Sequence, residues 1–376
     1  MTSLSPWSNT DNSTAGPEIS ANTEQYALYV EGDILFDAML AVINNAQHQV
    51  WLATYIFSGD EIGQQFVKAL SAKAKAGMDV RLTVDALGSF FLFPRNLEKE
   101  LTDQGVKVRR YHRWSWRKPL RYNSRDHRKL LIVDGQQAFL GGFNIHRECS
   151  LSAFGKERWR DTHVRITGEL AIQAMELFAA SWEGKPYRCL SPREAFRDEL
   201  LPNKPLKCRW RLRRIYRNMM NDARRYLYVS TPYFVPDRLV QKGLVAAARR
   251  GVDVRVLVPR KSDVLLVQWA SRAAYANLLL NGVRIYEYLP RMLHAKTIVI
   301  DDEYATIGTS NIDYRSFFLN HELNLFSENP YLCLRLYHQF NSDMKEAEEV
   351  HPKSWKRRPW LARVLEWAGW MARRWL

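Results

Sequence analysis

The sequence predicts an α/β fold made of two similar domains, and three observations support this prediction. One motif occurs twice, at residues 127–144 and 294–311. Strand-like apolar runs alternate with helix-like segments in both halves, as in layered α/β domains. The separation between matching segments falls from 177 residues, for Phe57 and Phe234, to 167 at the motif. Duplication followed by small deletions would leave such a drift, so we expect two domains related by a pseudo-twofold axis.

The elements of the first half follow from the hydrophobic period and from stop signals. Runs of β-branched and aromatic residues indicate buried strands, and apolar residues three or four positions apart indicate helices. Gly77 is a typical stop signal after the second helix. The predicted strands are 50–57, 80–84, 106–111, 130–133 and 159–166, and the predicted helices are 34–45, 61–76, 95–104 and 170–182.

The second half repeats this order. Residues 224–236 match the strand that ends at Phe57, and residues 251–258 match residues 77–84. The predicted divisions are a polar tail at 1–24, a first domain at 25–185, a linker at 186–207, a second domain at 208–350, and a basic, tryptophan-rich tail at 351–376.

Composition restricts the partners and the compartment. The chain has 55 Lys and Arg against 40 Asp and Glu, a formal net charge of +15. This charge favours an anionic partner, which is nucleic acid, an anionic membrane surface or an acidic substrate. The four cysteines lack metal-ligand spacing, so we expect them to be reduced, as in cytosolic proteins. No apolar run approaches the roughly 18 residues that cross a bilayer, so any action on lipid is expected from the membrane surface.

The repeated motif places residues with complementary chemistry around a predicted strand. The paired residues are His127 and His294, Lys129 and Lys296, Asp134 and Asp301, and Asn144 and Asn311. Residues two apart on a strand share a face, so each His points with its Lys while the Asp points away and is expected to anchor the backbone. An imidazole can attack phosphorus or transfer a proton, and an ammonium or an Asn amide can hold the nonbridging oxygens. The motif therefore predicts chemistry on a phosphodiester.

The spacing of His, Lys, Asp, Gly and Asn in both copies resembles the signature of the phospholipase D superfamily at every position. The resemblance implies α/β/α sandwich domains with one active site at their interface. It also implies a covalent phosphohistidine on His127, with His294 as acid and then base, and neither a metal nor a cofactor. Asp161 and Glu322 match the acidic positions that would orient the two imidazoles.

The match becomes closer at residues 141–145, 159–168 and 308–316, which look like those of bacterial cardiolipin synthases. The chain is similar to the form without an initial membrane span, often called the B type. The resemblance implies transfer of a phosphatidyl group from one phosphatidylglycerol to another, giving cardiolipin and glycerol. The alternatives are a phospholipase D-type hydrolase, and then a nuclease or a non-enzymatic binder of anionic surfaces. Nucleic acid is the less expected partner, because a lipid-type motif accompanies the tryptophan-rich tail.

The C-terminal tail has the pattern of a helix that lies on a membrane. One predicted helical face holds Trp360, Val364, Trp367, Met371 and Trp375, with Arg363 and Arg374 beside it. Basic residues next to Trp suit the headgroup layer of an anionic membrane. The alternative is a helix packed on the body of the protein. We therefore expect a peripheral membrane protein at the cytoplasmic face of the bacterial inner membrane.

Overall fold

Two mixed β-sheets, each covered by helices, form the two halves of the protein. This computed structural model describes residues 25–113, 116–117, 122–189 and 198–373. The predicted α/β architecture of two similar halves is confirmed.

Most predicted elements of the first half lie close to their expected positions, and the structure adds two strands and a short helix that were not predicted, at Tyr26–Tyr29, Gln137–Gly141 and Leu151–Phe154. Its strands are β1 (Tyr26–Tyr29), β2 (Gln49–Thr54), β3 (Asp79–Asp85), β4 (Lys107–Tyr111), β5 (Leu130–Val133), β6 (Gln137–Gly141) and β7 (His163–Thr167). Its helices are α1 (Gly32–Asn45), α2 (Glu61–Lys75), α3 (Arg95–Asp103), α4 (Leu151–Phe154) and α5 (Glu169–Glu183). The sheet order is β1-β7-β6-β5-β2-β3-β4, in which β2, β3 and β4 are parallel and the other pairs antiparallel.

Local signals set the limits of these elements. Asp60 caps α2 by accepting hydrogen bonds from the N–H groups of Ile62 and Gly63. Gly77 follows the same helix with a φ of 85°, a left-handed conformation that glycine adopts at little cost.

The second half repeats the arrangement. Its strands are β8 (Glu199–Pro202), β9 (Tyr226–Ser230), β10 (Asp253–Pro259), β11 (Arg284–Tyr288), β12 (Thr297–Ile300), β13 (Tyr304–Gly308), β14 (Leu323–Ser327) and β15 (Ala347–Glu349). Its helices are α6 (Leu206–Asp222), α7 (Arg238–Arg249), α8 (Leu265–Leu280), α9 (Tyr314–Phe318), α10 (Pro330–Met344), α11 (Pro352–Lys356) and α12 (Trp360–Ala372). The sheet order is β15-β11-β10-β9-β12-β13-β14-β8.

The last part of the expected linker (186–207), residues 198–207, contributes to the second half. β8 pairs with β14 at the edge of the second sheet, and α6 begins within the expected linker. Leu200 and Leu201 are both buried, each in a different core, which explains why this short run becomes a strand. The strand expected at 159–166 begins only at His163, since Arg160 instead bridges Leu293 of the other half.

One central hydrophobic core joins the two halves. It combines inward residues of the first sheet, such as Trp51 and Ile132, with Tyr228 and Ala305 of the second sheet and with α5 and α10. Further cores lie under the outer helices of each half. Because burial of apolar surface is the main favourable term in folding, this shared interior fixes the position of one sheet relative to the other.

Asp134 and Asp301 anchor the far ends of the motif strands. Both have left-handed backbones, with φ of 52° and 56°. The Asp134 carboxylate accepts the N–H groups of residues 47–49 at 2.8 Å each, and the Asp301 carboxylate accepts those of residues 224–226 at 2.5–2.9 Å. Although partial burial acts to raise it, these bonds hold the pKa of the Asp134 carboxyl below its ordinary value.

Helix α12 packs on α8 through the face opposite the predicted apolar stripe. Gly369 and Trp370 contact α8, and the buried Glu366 pairs with Arg358 at 2.6 Å. The stripe itself is exposed, by 75% at Trp360, 48% at Val364, 64% at Trp367 and 59% at Met371. The predicted contacts Arg374 and Trp375 lie outside the described residues. No helix in the described part of the chain combines the length and the apolar character that a bilayer span requires.

Asp134→Ala should lower the free energy of unfolding by about 2–3 kcal/mol, because three N–H groups lose a charged acceptor. Asp134→Asn should cost less, since Asn tolerates a left-handed backbone and keeps one acceptor oxygen. Urea unfolding followed by circular dichroism measures both changes, with Asp103→Ala at the exposed end of α3 as the control. Equal stability of wild type and Asp134→Ala would contradict the anchoring role.

Candidate active site

His127 lies just before β5 and is held by the other half of the protein. Its Nδ1–H donates to Glu322 Oε2 at 3.0 Å and lies 3.1 Å from the carbonyl oxygen of Thr309. The Thr309 hydroxyl donates to the same oxygen of Glu322 at 2.6 Å. The imidazole of the first motif is therefore oriented by a carboxylate that the second half supplies.

His294 repeats this arrangement with the halves exchanged. Its Nδ1–H donates to Asp161 Oδ2 at 2.5 Å. Gly142 allows that carboxylate to approach, because a Cβ atom at this position would lie 2.0 Å from Asp161 Oδ1. In the second motif Thr309 takes the equivalent position and binds the longer side chain of Glu322.

Backbone hydrogen bonds hold the two exchanged pairs in place. The N–H of His127 donates to the carbonyl of His321 at 2.9 Å, and the N–H of His294 donates to the carbonyl of Arg160 at 2.7 Å. Short β-bridges between the halves run beside both bonds. Neither half alone contains the groups that position its own imidazole.

Lys129 and Lys296 are buried beside the imidazoles, with exposures of 2% and 5%. Lys129 Nζ donates to the carbonyl of His127 at 2.8 Å, and Lys296 Nζ lies 2.9 Å from His294 Nδ1. Burial and then the charge of Lys296 lower the pKa of Lys129 to about 7. Burial lowers the pKa of Lys296 to about 8, against the effect of nearby carboxylates. The two motifs thus bring both lysine side chains into a single site.

Both imidazoles are neutral in the free protein near neutral pH. Burial and then the charge of Lys296 lower the pKa of His294 to about 3, despite the opposing effect of Asp161. Burial also lowers the pKa of His127, and Glu322 acts in the opposite direction. With Nδ1–H bound to a carboxylate, each neutral ring keeps an Nε2 lone pair that can act on a substrate.

Two aromatic residues contact the imidazoles. The Tyr55 ring lies 4.9 Å from that of His127, and the Trp159 ring lies 4.8 Å from that of His294. Neither residue was predicted from the sequence as part of the site, and nor was Thr309. The available signal was position, since Tyr55 follows β2 at the end where the motif strand begins, and Thr309 follows the glycine of the motif.

The other predicted site residues have different surroundings. Asn144 Oδ1 accepts the N–H of Ile56 at 3.1 Å, whereas Asn311 Oδ1 has no hydrogen-bond partner among the described residues. Asp134 and Asp301 lie beyond the opposite ends of their strands and do not reach the imidazoles. The predicted residues brought together in one site are His127, Lys129, Asp161, His294, Lys296 and Glu322. Within the described ranges, no group of three or more His, Cys, Asp or Glu could hold a metal ion.

The chain matches a known family over most of its length. The family model described as "Cardiolipin synthase, PLD-like domain" matches residues 39–182 and 216–345. These ranges contain both copies of the motif and both orienting carboxylates.

Relatives and solved structures agree with this match. A cardiolipin synthase of Clostridium perfringens is 34% identical over 378 aligned positions, which cover 95% of this chain and 77% of the relative. Cardiolipin synthase 2 of Bacillus anthracis is 35% identical, with 93% of this chain and 70% of the relative covered.

In the solved structures the likeness lies in the fold alone. Phosphatidylserine synthase of Haemophilus influenzae superposes with a TM-score of 0.70 at 14% identity, covering 94% of this chain and 96% of that chain. Polyphosphate kinase of Porphyromonas gingivalis superposes with a TM-score of 0.62 at 15% identity, covering 88% of this chain and 49% of that chain. The predicted fold of two phospholipase D-like domains is confirmed. Given a family model that spans both halves and relatives of this identity, the chain belongs to the cardiolipin synthase family with phospholipase D-like domains.

Proposed function

We propose that the protein is a phosphatidyltransferase that makes cardiolipin from two phosphatidylglycerol molecules and releases glycerol. The observation that carries this proposal is the pair of buried imidazoles, each bound to a carboxylate of the other half, beside two buried lysines. Such a site can hold the nonbridging oxygens of one phosphodiester while two imidazoles act on it. The names of the relatives support cardiolipin as the product.

In the first step, Nε2 of His127 attacks the phosphorus of the donor lipid, and the bond to the headgroup glycerol oxygen breaks. His294 gives a proton to that leaving oxygen. The negative charge of the bound diester favours the protonated ring, because it opposes the burial that lowers the pKa of His294. Lys129 and Lys296 hold the nonbridging oxygens. The products are free glycerol and a phosphatidyl group on His127.

In the second step, His294 takes the proton from a glycerol hydroxyl of a second phosphatidylglycerol. The hydroxyl oxygen attacks phosphorus, the bond to His127 breaks, and cardiolipin leaves. Glu322 and Asp161 keep each ring in one tautomer and stabilise its charged form. Because His127 and His294 are only 7% and 4% exposed, the site limits access of bulk water and favours transfer to a lipid alcohol.

We further propose a peripheral position at the cytoplasmic face of a bacterial membrane, with α12 as one contact. Its apolar stripe is exposed, and so are the basic residues Lys353, Lys356, Arg357 and Arg363 in and before the helix. Each basic residue close to an anionic surface contributes about 1 kcal/mol. The acidic Glu366 is buried and paired, so it does not oppose this attraction.

Intact-protein mass spectrometry can detect the covalent step. With a phosphatidyl ester of p-nitrophenol, whose leaving group needs no proton, His294→Ala should accumulate a phosphatidyl adduct and His127→Ala should form none. Both variants should lose cardiolipin synthesis by about 10⁴-fold or more.

The wild type with labelled phosphatidylglycerol is the control for this experiment, and cardiolipin is the expected product. Phosphatidic acid in its place would indicate hydrolysis by water. An adduct on His127→Ala alone would exchange the two roles, and an adduct on neither variant would contradict the covalent mechanism.

The value of kcat/KM should fall as the pH rises above about 7, because the lysine pair loses its protons at a pKa of about 7 for Lys129 and about 8 for Lys296. Only the charged lysines attract the diester. Once bound, the anionic lipid raises the pKa of both lysines. The decline of kcat at alkaline pH should therefore occur at a higher pH than the decline of kcat/KM. A monomeric short-chain phosphatidyl ester of p-nitrophenol is the substrate for this profile, because its leaving group needs no proton from His294. A kcat/KM that stays constant up to about pH 9 would contradict charged lysines with lowered pKa.

Trp367→Ser should weaken binding to phosphatidylglycerol vesicles by about tenfold, because an interfacial aromatic side chain is lost. Vesicle sedimentation measures the change. Trp210→Ser is the matched control, since Trp210 on α6 is 65% exposed and Trp367 is 64% exposed. If both variants bind like the wild type, α12 is not a membrane contact.

A further inference from the structure

Two equivalent loops of the two halves are apolar and exposed. The first mouth loop, residues 86–93, follows β3, and the second mouth loop, residues 260–266, follows β10. β3 and β10 occupy the same place in their sheets, each beside the strand that pairs with the motif strand. The exposed side chains are Leu87 (42%), Phe90 (59%), Phe91 (88%), Leu92 (41%), Val264 (39%), Leu265 (62%) and Leu266 (36%).

The first mouth loop is attached beside His127. The Ser89 hydroxyl donates to the carbonyl of Tyr55 at 2.9 Å and accepts the N–H of Phe57 at 3.0 Å. The Tyr55 ring in turn lies 4.9 Å from the His127 ring. Because Phe90 and Phe91 follow Ser89 directly and are exposed, we place their rings at the rim of the active site.

The second mouth loop lies on the side of the second motif. The Tyr233 hydroxyl donates to both oxygens of Asp263, at 2.7 and 2.8 Å. Asp263 is close enough to act electrostatically on the buried Lys296. Since its carboxylate is bound by Tyr233 and Leu265 follows two residues later, the apolar end of this loop also borders the site.

Helix α12 continues this surface. Trp370, near its C-terminal end, and Tyr233 both pack against the small core of Val235, Val267 and Ala270. The same Tyr233 carries the second mouth loop. At this end α12 packs on Trp269 and Ala270, about one turn after Leu265, so the exposed stripe ends near the second mouth loop.

We propose that the two mouth loops and the exposed stripe of α12 form one docking surface for an anionic lipid bilayer, which places the rim of the active site against the headgroup layer. The inference rests on the proposed function, because lipids with two acyl chains reach a buried site most directly from the membrane. A protein partner on the same surface would cover the entrance to the site.

The charge of the exposed side chains supports an anionic bilayer as the partner of this surface. The exposed ionisable side chains that precede and flank the stripe are basic: Lys353, Lys356, Arg357 and Arg363. In the second mouth loop the exposed Lys261 is offset by the carboxylate of Asp263, so the positive charge of this surface comes from the residues around α12. Aromatic and aliphatic side chains beside such charges match the boundary between acyl chains and anionic headgroups.

The test uses the full chain with Phe91→Glu and Leu265→Glu, and with Leu280→Glu as a matched control. Leu265 and Leu280 begin and end α8, and they are 62% and 65% exposed, so the same charge is added to the same helix. Sedimentation with vesicles of phosphatidylglycerol and phosphatidylethanolamine measures binding. A second measurement compares turnover of phosphatidylglycerol in bilayers with turnover of monomeric short-chain phosphatidylglycerol.

Phe91→Glu and Leu265→Glu should each weaken vesicle binding by about tenfold, and should lower the ratio of bilayer to monomer turnover by a similar factor. Leu280→Glu should change neither quantity. Phe91→Trp should keep wild-type binding, because Trp suits the interface.

Wild-type binding of both mouth-loop variants, or an equal loss in Leu280→Glu, would overturn the docking surface. Vesicle binding needs no turnover, so it separates the two proposals. A protein that binds vesicles through the mouth loops but makes no cardiolipin would overturn the proposed function and support the surface.

Discussion

The exchange of carboxylates between the two halves is the constraint on which the rest of the structure depends. Glu322 of the second half binds His127, and Asp161 of the first half binds His294. Each bond crosses the interface, so the imidazoles come together only when both halves are folded against each other. The shared central core supplies the apolar burial that holds this interface. Duplication thus gives one site with two similar sides instead of two sites.

The same exchange makes the buried charges tolerable. Two lysines and two carboxylates lie in or beside the site with little exposure, and isolated charges in such a place would be costly. Their opposite signs balance while the imidazoles stay neutral. Burial lowers the pKa of Lys129 to about 7, so near neutral pH this lysine is only partly charged, and binding of an anionic substrate favours its charged form. A bound phosphodiester places a negative charge beside both lysines, so binding of the substrate stabilises their positive charges.

The sequence predicts the parts of this site that depend on local order along the chain. The motif and the hydrophobic period give β5, β12 and the residues around them, and the family resemblance gives Asp161 and Glu322. Contacts made only in three dimensions could not be predicted. For example, the hydrogen bond from Thr309 to Glu322 exists only in the folded structure. Helix α12 shows the limit most clearly, because its period identifies the exposed stripe, whereas Trp370, which lies outside that stripe, makes the contact with the body of the protein.

The most direct test of the account is a crystal structure of the protein with orthovanadate, an anion that mimics phosphorus during transfer. The account predicts one vanadate per chain, with Nε2 of His127 and of His294 both within about 3 Å of it and with both lysine Nζ atoms at its oxygens. Two separate anions, or one vanadate bound to a single imidazole with the other ring out of reach, would contradict a shared active site.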